Sequence, residues 1–310
     1  LARPLLTREA LRIATRGSVL ARWQAERVAR ALRSADPALV VELVVIATSG
    51  DQRRDVPVWE LGGQGVFVKE VQAAVLDGRA DVAVHSAKDL PSSTPGGLVL
   101  AALTERADPR DALVGTRLAD LQPGALVATG SVRRRAQLAW VRPDLTFTGL
   151  RGNIGTRLER VPDGGAVVVA AAALARLGLL DRAAEILPTA VMLPQVGQGA
   201  IGVECRAGDE VTRALLMSID DAGAHVAVTA ERAFLARLGG GCDLPVGALA
   251  VRQAGDDTLR IEGLMASADG RVMLRSGRTG PIDAPAPLGS ALAEELLAAG
   301  GADLADGGRP

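Results

Sequence analysis

The 310-residue chain has no tyrosine, three phenylalanines and three tryptophans, so aromatics make up only 2% of it. Its core therefore has to be assembled from Val, Leu and Ala, as in α/β proteins. Cysteine is almost as scarce. Cys205 and Cys242 are too few for a disulfide framework, and neither has the spacing of a metal ligand. His85 and His225 do not complete a four-ligand set with them, so no metal is expected. No run of 18 apolar residues occurs, and "AVVVAAAALARLGLL" is interrupted by Arg176 and Gly178. A basic-then-apolar leader is also missing. These absences predict a cytoplasmic protein without a membrane partner. Charge of one sign is lacking too: the formal net charge is -1, which leaves no global field to draw the chain to nucleic acid. Any polyanion has to be held by a local cluster.

Lysine is the last scarcity. Lys69 and Lys88 are the only two among 35 basic residues, the rest being arginine. A compact ammonium kept in such a chain suggests a task that the planar guanidinium cannot perform.

The length exceeds the usual ~100–200 residues of one domain, so two or three domains are expected. "LRIATR" (11–16) reads as a strand, and Ser18 as the N-cap of a helix over "VLARWQAERVARALRSA". "VVELVVIAT" (40–48) reads as a buried strand. Residues 49–65 form a long polar loop punctuated by Gly and Pro, a length typical of lids and binding loops. "VFVKEVQAAVLDG" is a helix stopped by Gly78, and "ADVAVHSA" a buried strand. The alternation continues with "GALVAT", a helix between Ser131 and Pro143, "LTFTGL", the helix "NIGTRLERV", and "AVVVAAAAL" as a strand or buried segment. Alternating elements of this kind indicate parallel sheets with crossover helices. The tail differs: "ALAVRQ", "DTLRIEGLMAS" and "RVMLRSGR" alternate like antiparallel strands, and "LGSALAEELLAAG" closes as an amphipathic helix. That is a small α+β domain.

Arginines gather where strands pass into helices. Arg16 ends the first strand, Arg133 and Arg134 open a helix after "VATGS", and Arg151 and Arg157 bracket "RGNIGTR". Ligands of open α/β sheets bind off the carboxyl ends of strands, beside helix N-termini that favour anions. One such arginine is ordinarily a solvated surface residue; five at equivalent junctions point to a small polyanion. Carboxylates suit the guanidinium fork, and no Walker-type glycine loop is present. Lys88 and Asp89 fall just past an apolar strand, where an acid beside a lysine can stay ionised and stabilise a cation or move a proton. The plainer reading of Asp89 is a turn acid before Pro91. His85, inside the strand, reads as a core histidine, and Cys205 as a buried, inert thiol. Cys242 follows three glycines in "ARLGGGCDLP". Either something bulky has to reach its sulfur or the glycines only make a turn.

The motifs "RIATRGSVLARWQA", "GQGVFVKE", "ADVAVHSAKDLP", "GSVRRRAQL", "LRGNIGTRL", "LPQVGQGAIGVECR" and "GGGCDLPVGA" resemble, in order and spacing, those of the porphobilinogen deaminase (hydroxymethylbilane synthase) family over residues 11 to 300. The resemblance implies an enzyme, a transferase of tetrapyrrole and haem (porphyrin) biosynthesis. It joins four porphobilinogen molecules into hydroxymethylbilane with release of ammonia, on a dipyrromethane cofactor held by a thioether. Cys242 matches the attachment cysteine, and bare backbone then lets a pyrrole chain lie close. The resemblance further implies that Lys88, Thr129, Ser131, Arg133 and Arg134 bind the cofactor. It assigns substrate carboxylates to Arg16, Ser18, Arg151, Arg157 and Arg176, and makes Asp89 the catalytic acid that stabilises the azafulvene cation formed on deamination. It implies two periplasmic-binding-protein-like domains with a cleft between them, residues 1–104 plus 200–219 and residues 105–199. A third domain, 220–310, carries the cofactor cysteine. Residues 49–65 match a loop over the cleft, and a monomer is expected.

Two departures from the related motifs stand out: Glu60 and Gln64 lie where basic residues are usual, and Gly130 replaces a hydroxyl residue. Two other classes of function fit parts of the pattern. A non-catalytic anion receptor would share the two-domain architecture but would lack a third domain presenting a thiol. An enzyme using Cys242 as a turnover nucleophile would need a base, and neither histidine sits in a motif with it.

Overall fold

The computed structural model describes residues 10–48, 68–239, 244–255 and 257–307. Cys242 and the loop at 49–65, with Glu60 and Gln64, lie outside the described residues. The chain divides into two compact units: residues 1–106 with 200–225, and residues 107–199 with 226–310.

The first unit opens with β1 (Leu11–Arg16), which buries Leu11, Ile13, Ala14 and Thr15, and α1 (Val19–Ala35). The Ser18 side chain caps α1 by accepting the Ala21 N–H at 3.3 Å. α1 buries Ala25, Val28, Ala29 and Leu32, the 3–4 spacing of one helical face. β2 (Val41–Ile46) is an edge strand, with Val45 exposed, rather than the buried strand its valines suggest. α2 (Lys69–Leu76) follows and ends before Gly78 at φ +80°. β3 (Val82–Ser86) is buried and turns through a 3-10 segment, Ala87–Asp89. β4 (Leu98–Leu103) completes the first pass.

The second unit holds β5 (Asp111–Gly115), β6 (Leu126–Ala128), α3 (Val132–Val141), β7 (Thr146–Thr148), α4 (Ile154–Leu158) and β8 (Ala166–Ala170). β8 runs without a loop into α5 (Ala171–Arg176), and β9 (Glu185–Ile186) follows. β10 (Ile201–Arg206) returns to the first unit, followed by α6 (Glu210–Leu216). α7 (Ala222–Arg237) leads to the meander β11 (Val246–Arg252), β12 (Thr258–Ala266) and β13 (Met273–Pro281), and α8 (Pro285–Leu296) closes it.

The two five-stranded sheets share one plan. Their orders are β2-β1-β3-β10-β4 and β7-β6-β8-β5-β9. In each, three neighbouring strands are parallel and the fourth runs antiparallel. The expectation of purely parallel sheets is thereby corrected. The reversed strand is the one that enters from outside the βαβ succession: β10 comes back from the second unit, and β5 arrives from the first. The three-stranded sheet is antiparallel throughout and is covered by α7 and α8. Phe234, Leu259, Ile261, Leu292 and Leu296 form its core.

One buried ion cluster locks the first sheet. Asp81 is fully buried and takes the Arg12 N–H at 2.9 Å, Arg12 Nη2 at 3.0 Å and Arg206 Nη2 at 3.2 Å. It ties β10 to the strands on which the chain began.

Candidate functional site

In the first unit, the candidate residues occupy the carboxyl ends of two adjacent parallel strands. Arg16 is the last residue of β1, and Ser18 follows as the cap of α1. Lys88 and Asp89 lie in the 3-10 turn after β3, both half-buried. The Asp89 carboxylate has no hydrogen bond or ion pair among the described residues, so its oxygens are available to a ligand. The base of the turn is held by Ser86, whose Oγ accepts from Gln24 Nε2 at 2.8 Å. His85 points the other way, into the core. Its Nε2 lies 3.3 Å from Glu204, whose two oxygens also accept from Gln72 Nε2 at 3.1 and 2.8 Å. The core reading of His85 agrees with this burial. Cys205 is fully buried in β10, and desolvation pushes its thiol up to about 11.

In the second unit, the candidate residues gather at the carboxyl ends of β7, β6 and β8. Thr129 follows β6, and its hydroxyl accepts the Ser131 N–H at 3.2 Å. Ser131 caps α3 by accepting the Arg134 N–H at 3.4 Å. Arg133 and Arg134 are both on the first turn of α3, yet their side chains are 3% and 6% exposed rather than solvated. They converge on Asp111, a residue the sequence analysis passed over. Arg133 Nη2 donates to Asp111 Oδ2 at 2.8 Å, and Arg134 Nη2 and Nε donate to Oδ1 at 2.7 and 3.1 Å. Burial alone would push the Asp111 carboxyl up. The two guanidiniums outweigh it and hold the group well below the usual carboxylate range. Arg133 is pushed down, chiefly by burial, against the pull of Asp111.

After β7, the loop 149–152 presents Arg151, and Asn153 caps α4 by accepting the Thr156 N–H at 3.0 Å. Arg157 Nε donates to the Gly152 carbonyl at 2.9 Å. After β8, α5 ends in Arg176, whose Nη2 donates to the Gly199 carbonyl at 2.6 Å. Burial lowers Arg176 to about 10, so it remains cationic at neutral pH. Gly130 also finds its reason here: a Cβ at this position would stand 2.6 Å from the Leu150 carbonyl oxygen. The backbone that carries Arg151 fills the room a side chain would need.

Two further residues support this edge without having shown themselves in the sequence. Gln198 Nε2 donates to Asp111 Oδ1 at 2.9 Å and to the Pro109 carbonyl at 2.7 Å. Glu231, fully buried in α7, accepts the Gly197 N–H at 2.7 Å and the Ala250 N–H at 2.8 Å. The strand beginning four residues after Cys242 is tied to the same place. Ala248 N–H donates to the Pro194 carbonyl at 3.0 Å, and Arg133 Nη1 to the neighbouring Leu193 carbonyl at 2.5 Å.

A dipyrromethane is a polycarboxylate, and the residues present fit one. Arg133 Nε and Arg151 Nη1 are buried N–H donors with no acceptor among the described residues. Buried donors of charged groups are costly to leave unmet, which favours an anionic acceptor. No group of three His, Cys, Asp or Glu side chains among the described residues is arranged to hold a metal.

The chain is similar to known proteins over nearly its whole length. Residues 11–214 match the family profile "Porphobilinogen deaminase, dipyromethane cofactor binding domain", and residues 225–298 match "Porphobilinogen deaminase, C-terminal domain". The porphobilinogen deaminase of Roseiflexus castenholzii is 51% identical over 97% of this chain and the whole of that one. The protein of the same name from Syntrophotalea carbinolica is 48% identical over 95% of each chain. Among solved structures, a methionine-bound nutrient binding protein from Burkholderia cenocepacia is matched at a TM-score of 0.42 and 14% identity. That match covers 68% of this chain and 91% of the other, too loose a likeness to bear on the fold.

Proposed function

The chain belongs to the porphobilinogen deaminase family, and from that premise we propose which of its residues perform the family's chemistry. It is a transferase of tetrapyrrole synthesis, a hydroxymethylbilane synthase acting on porphobilinogen, with a dipyrromethane-binding domain. When bound, the dipyrromethane supplies the nucleophilic pyrrole from which the four-unit product grows. Cys242 holds it through a thioether.

Arg133 and Arg134 bind its carboxylates, with Thr129 and Ser131 beside them, and Lys88 of the first unit binds it too. Arg16, Ser18, Arg151, Arg157 and Arg176 orient the acetate and propionate groups of incoming porphobilinogen. Their cationic forks match those groups in charge and shape. Asp89 does the chemistry. Its carboxylate, unpartnered among the described residues, stabilises the positive charge that develops as ammonia leaves the substrate, and accepts the proton lost when the new carbon–carbon bond has formed. The observation that carries this reading is the pair of buried, acceptor-less donors on Arg133 and Arg151, on a sheet edge lined with cations.

The division into residues 1–104 plus 200–219, 105–199 and 220–310 belongs to the same reading, as does a cytoplasmic monomer with no nucleic-acid partner. No helix of the described residues is long and apolar enough to cross a membrane.

Intact mass spectrometry of the purified protein and of a Cys242→Ser variant tests the assignment. The expected result is an added mass of two deaminated porphobilinogen units that the variant lacks. A protein that gains no mass even after incubation with porphobilinogen refutes it.

A further inference from the structure

The Asp111 cluster contains an imbalance that its fold neighbours do not relieve. Two guanidiniums share one carboxylate, and all three groups are at least nine-tenths buried. Asp111 cannot move to follow a ligand. It opens β5, pairs with Ala170 of β8, and its carbonyl accepts the Leu187 N–H at 2.8 Å. Gln198 fixes Oδ1 from a third side. Arg133 Nη1 and Arg134 Nη1 donate to the Leu193 and Val168 carbonyls, which are neutral, and Arg133 Nε has no acceptor among the described residues. Without Asp111, two like charges would face each other in a low-dielectric setting. With it, the cluster is short of one anion among the described residues. An uncompensated buried charge is costly until a counter-charge arrives.

We propose that Asp111 is the positioning residue that sets the charge of this pair. It cancels one guanidinium, orients both, and leaves a single positive charge for one pyrrole carboxylate. The inference rests on the reading of Arg133 and Arg134 as the cofactor's carboxylate site. It predicts that ligand binding at the pair is governed by charge count, and that Asp111 acts on binding as well as on folding.

The quantity to measure is the loading increment: the Tm of protein carrying its pyrrole adduct minus the Tm of protein free of it. Porphobilinogen serves as the loading reagent, and each form is verified by intact mass. The thioether stays with the unfolded chain, so the increment reads the contacts that the adduct's carboxylates make only in the folded state. Asp111→Asn leaves two uncompensated cations, and its increment should exceed the wild-type value by about 3 °C or more. Arg134→Met balances the cluster, and its increment should shrink. The double variant Asp111→Asn/Arg134→Met restores one unmet charge and should recover the wild-type increment.

If Asp111→Asn lowers both forms equally and leaves the increment unchanged, Asp111 is structural only and the proposal falls. Should Asp111→Asn not accumulate, the double variant decides: an increment equal to that of Arg134→Met alone overturns the proposal. If neither Arg133→Met nor Arg134→Met alters the increment, the arginine assignment itself has failed, an outcome distinct from the other two.

Discussion

Replacing Gly130 by alanine puts a methyl group 2.6 Å from the Leu150 carbonyl oxygen. Ordinary C···O contacts lie near ~3.4 Å, so the two backbones have to part by about 0.8 Å. Leu150 cannot retreat freely, because its side chain is buried among Ala128, Leu158 and Val167. Overpacking of this kind costs about 1–3 kcal/mol. In a chain of this size that is a fall in Tm of roughly 1.5–5 °C. The displaced backbone is the one that carries Arg151, with its acceptor-less Nη1, and Gly152, on whose carbonyl Arg157 is anchored. A misplacement approaching 1 Å at a positioning residue can cost up to ~100-fold in turnover efficiency. Calorimetry and the kcat and KM for porphobilinogen test this directly. Gly208→Ala is the control, since an added methyl there meets nothing within 4 Å. A Gly130→Ala protein with unchanged Tm and unchanged KM would refute the argument that this loop is positioned by the missing side chain.

Asp89→Asn keeps the shape of the turn and removes only the charge. It should fold normally while losing ~100- to 10,000-fold in kcat, read on protein whose intact mass shows the adduct, and near-normal turnover would take Asp89 out of the chemistry. Cys205, buried and with its thiol pushed up to about 11, should resist alkylation at pH 8 in the native Cys242→Ser variant and react only on unfolding; labelling of the native variant would contradict its burial. Asp81→Asn strips Arg12 and Arg206 of their shared partner. Their side chains are 35% and 22% exposed and can rehydrate, so the loss should be about 2–3 kcal/mol by urea denaturation, at the low end for a buried pair. A loss near zero would mean that the cluster is not what ties β10 into the sheet.

Much of this was legible in the sequence where the signal is local. Ser18, Ser131 and Asn153 are side-chain caps, and short polar residues before a helical pattern announce themselves. The strand-end positions of Arg16, Arg133, Arg151 and Arg157 follow from the same local reading. What the sequence concealed depends on tertiary pairing. β2 looks like a buried strand because its valines do not say that it lies at an edge. "AVVVAAAALAR" passes from strand to helix at Ala171, and a run of alanine carries no period to mark the change. Asp111 opens a short apolar strand and resembles a turn acid; only the fold brings Arg133, Arg134 and Gln198 onto it. The same pairing corrects the picture of those arginines as solvated forks, since most of their donors are already engaged inside the protein.

The place of β10 in its sheet also constrains how the chain is made. Among the described residues, β4 has its only sheet partner in β10, and β10 stands between β4 and β3. About a hundred residues separate the end of β4 at Leu103 from Ile201, where β10 begins. At ~5–20 residues per second, a ribosome needs roughly 5–20 s to cross that interval. Throughout it the nascent first unit carries an unclosed sheet with two strand edges open to mispairing. The β10 strand is thus the last of the first unit's described strands to be synthesised, and it arrives only after the five strands of the second unit's larger sheet have been translated. Assembly of the early half therefore waits on the later one, and chaperones that shield exposed strand edges have their window there.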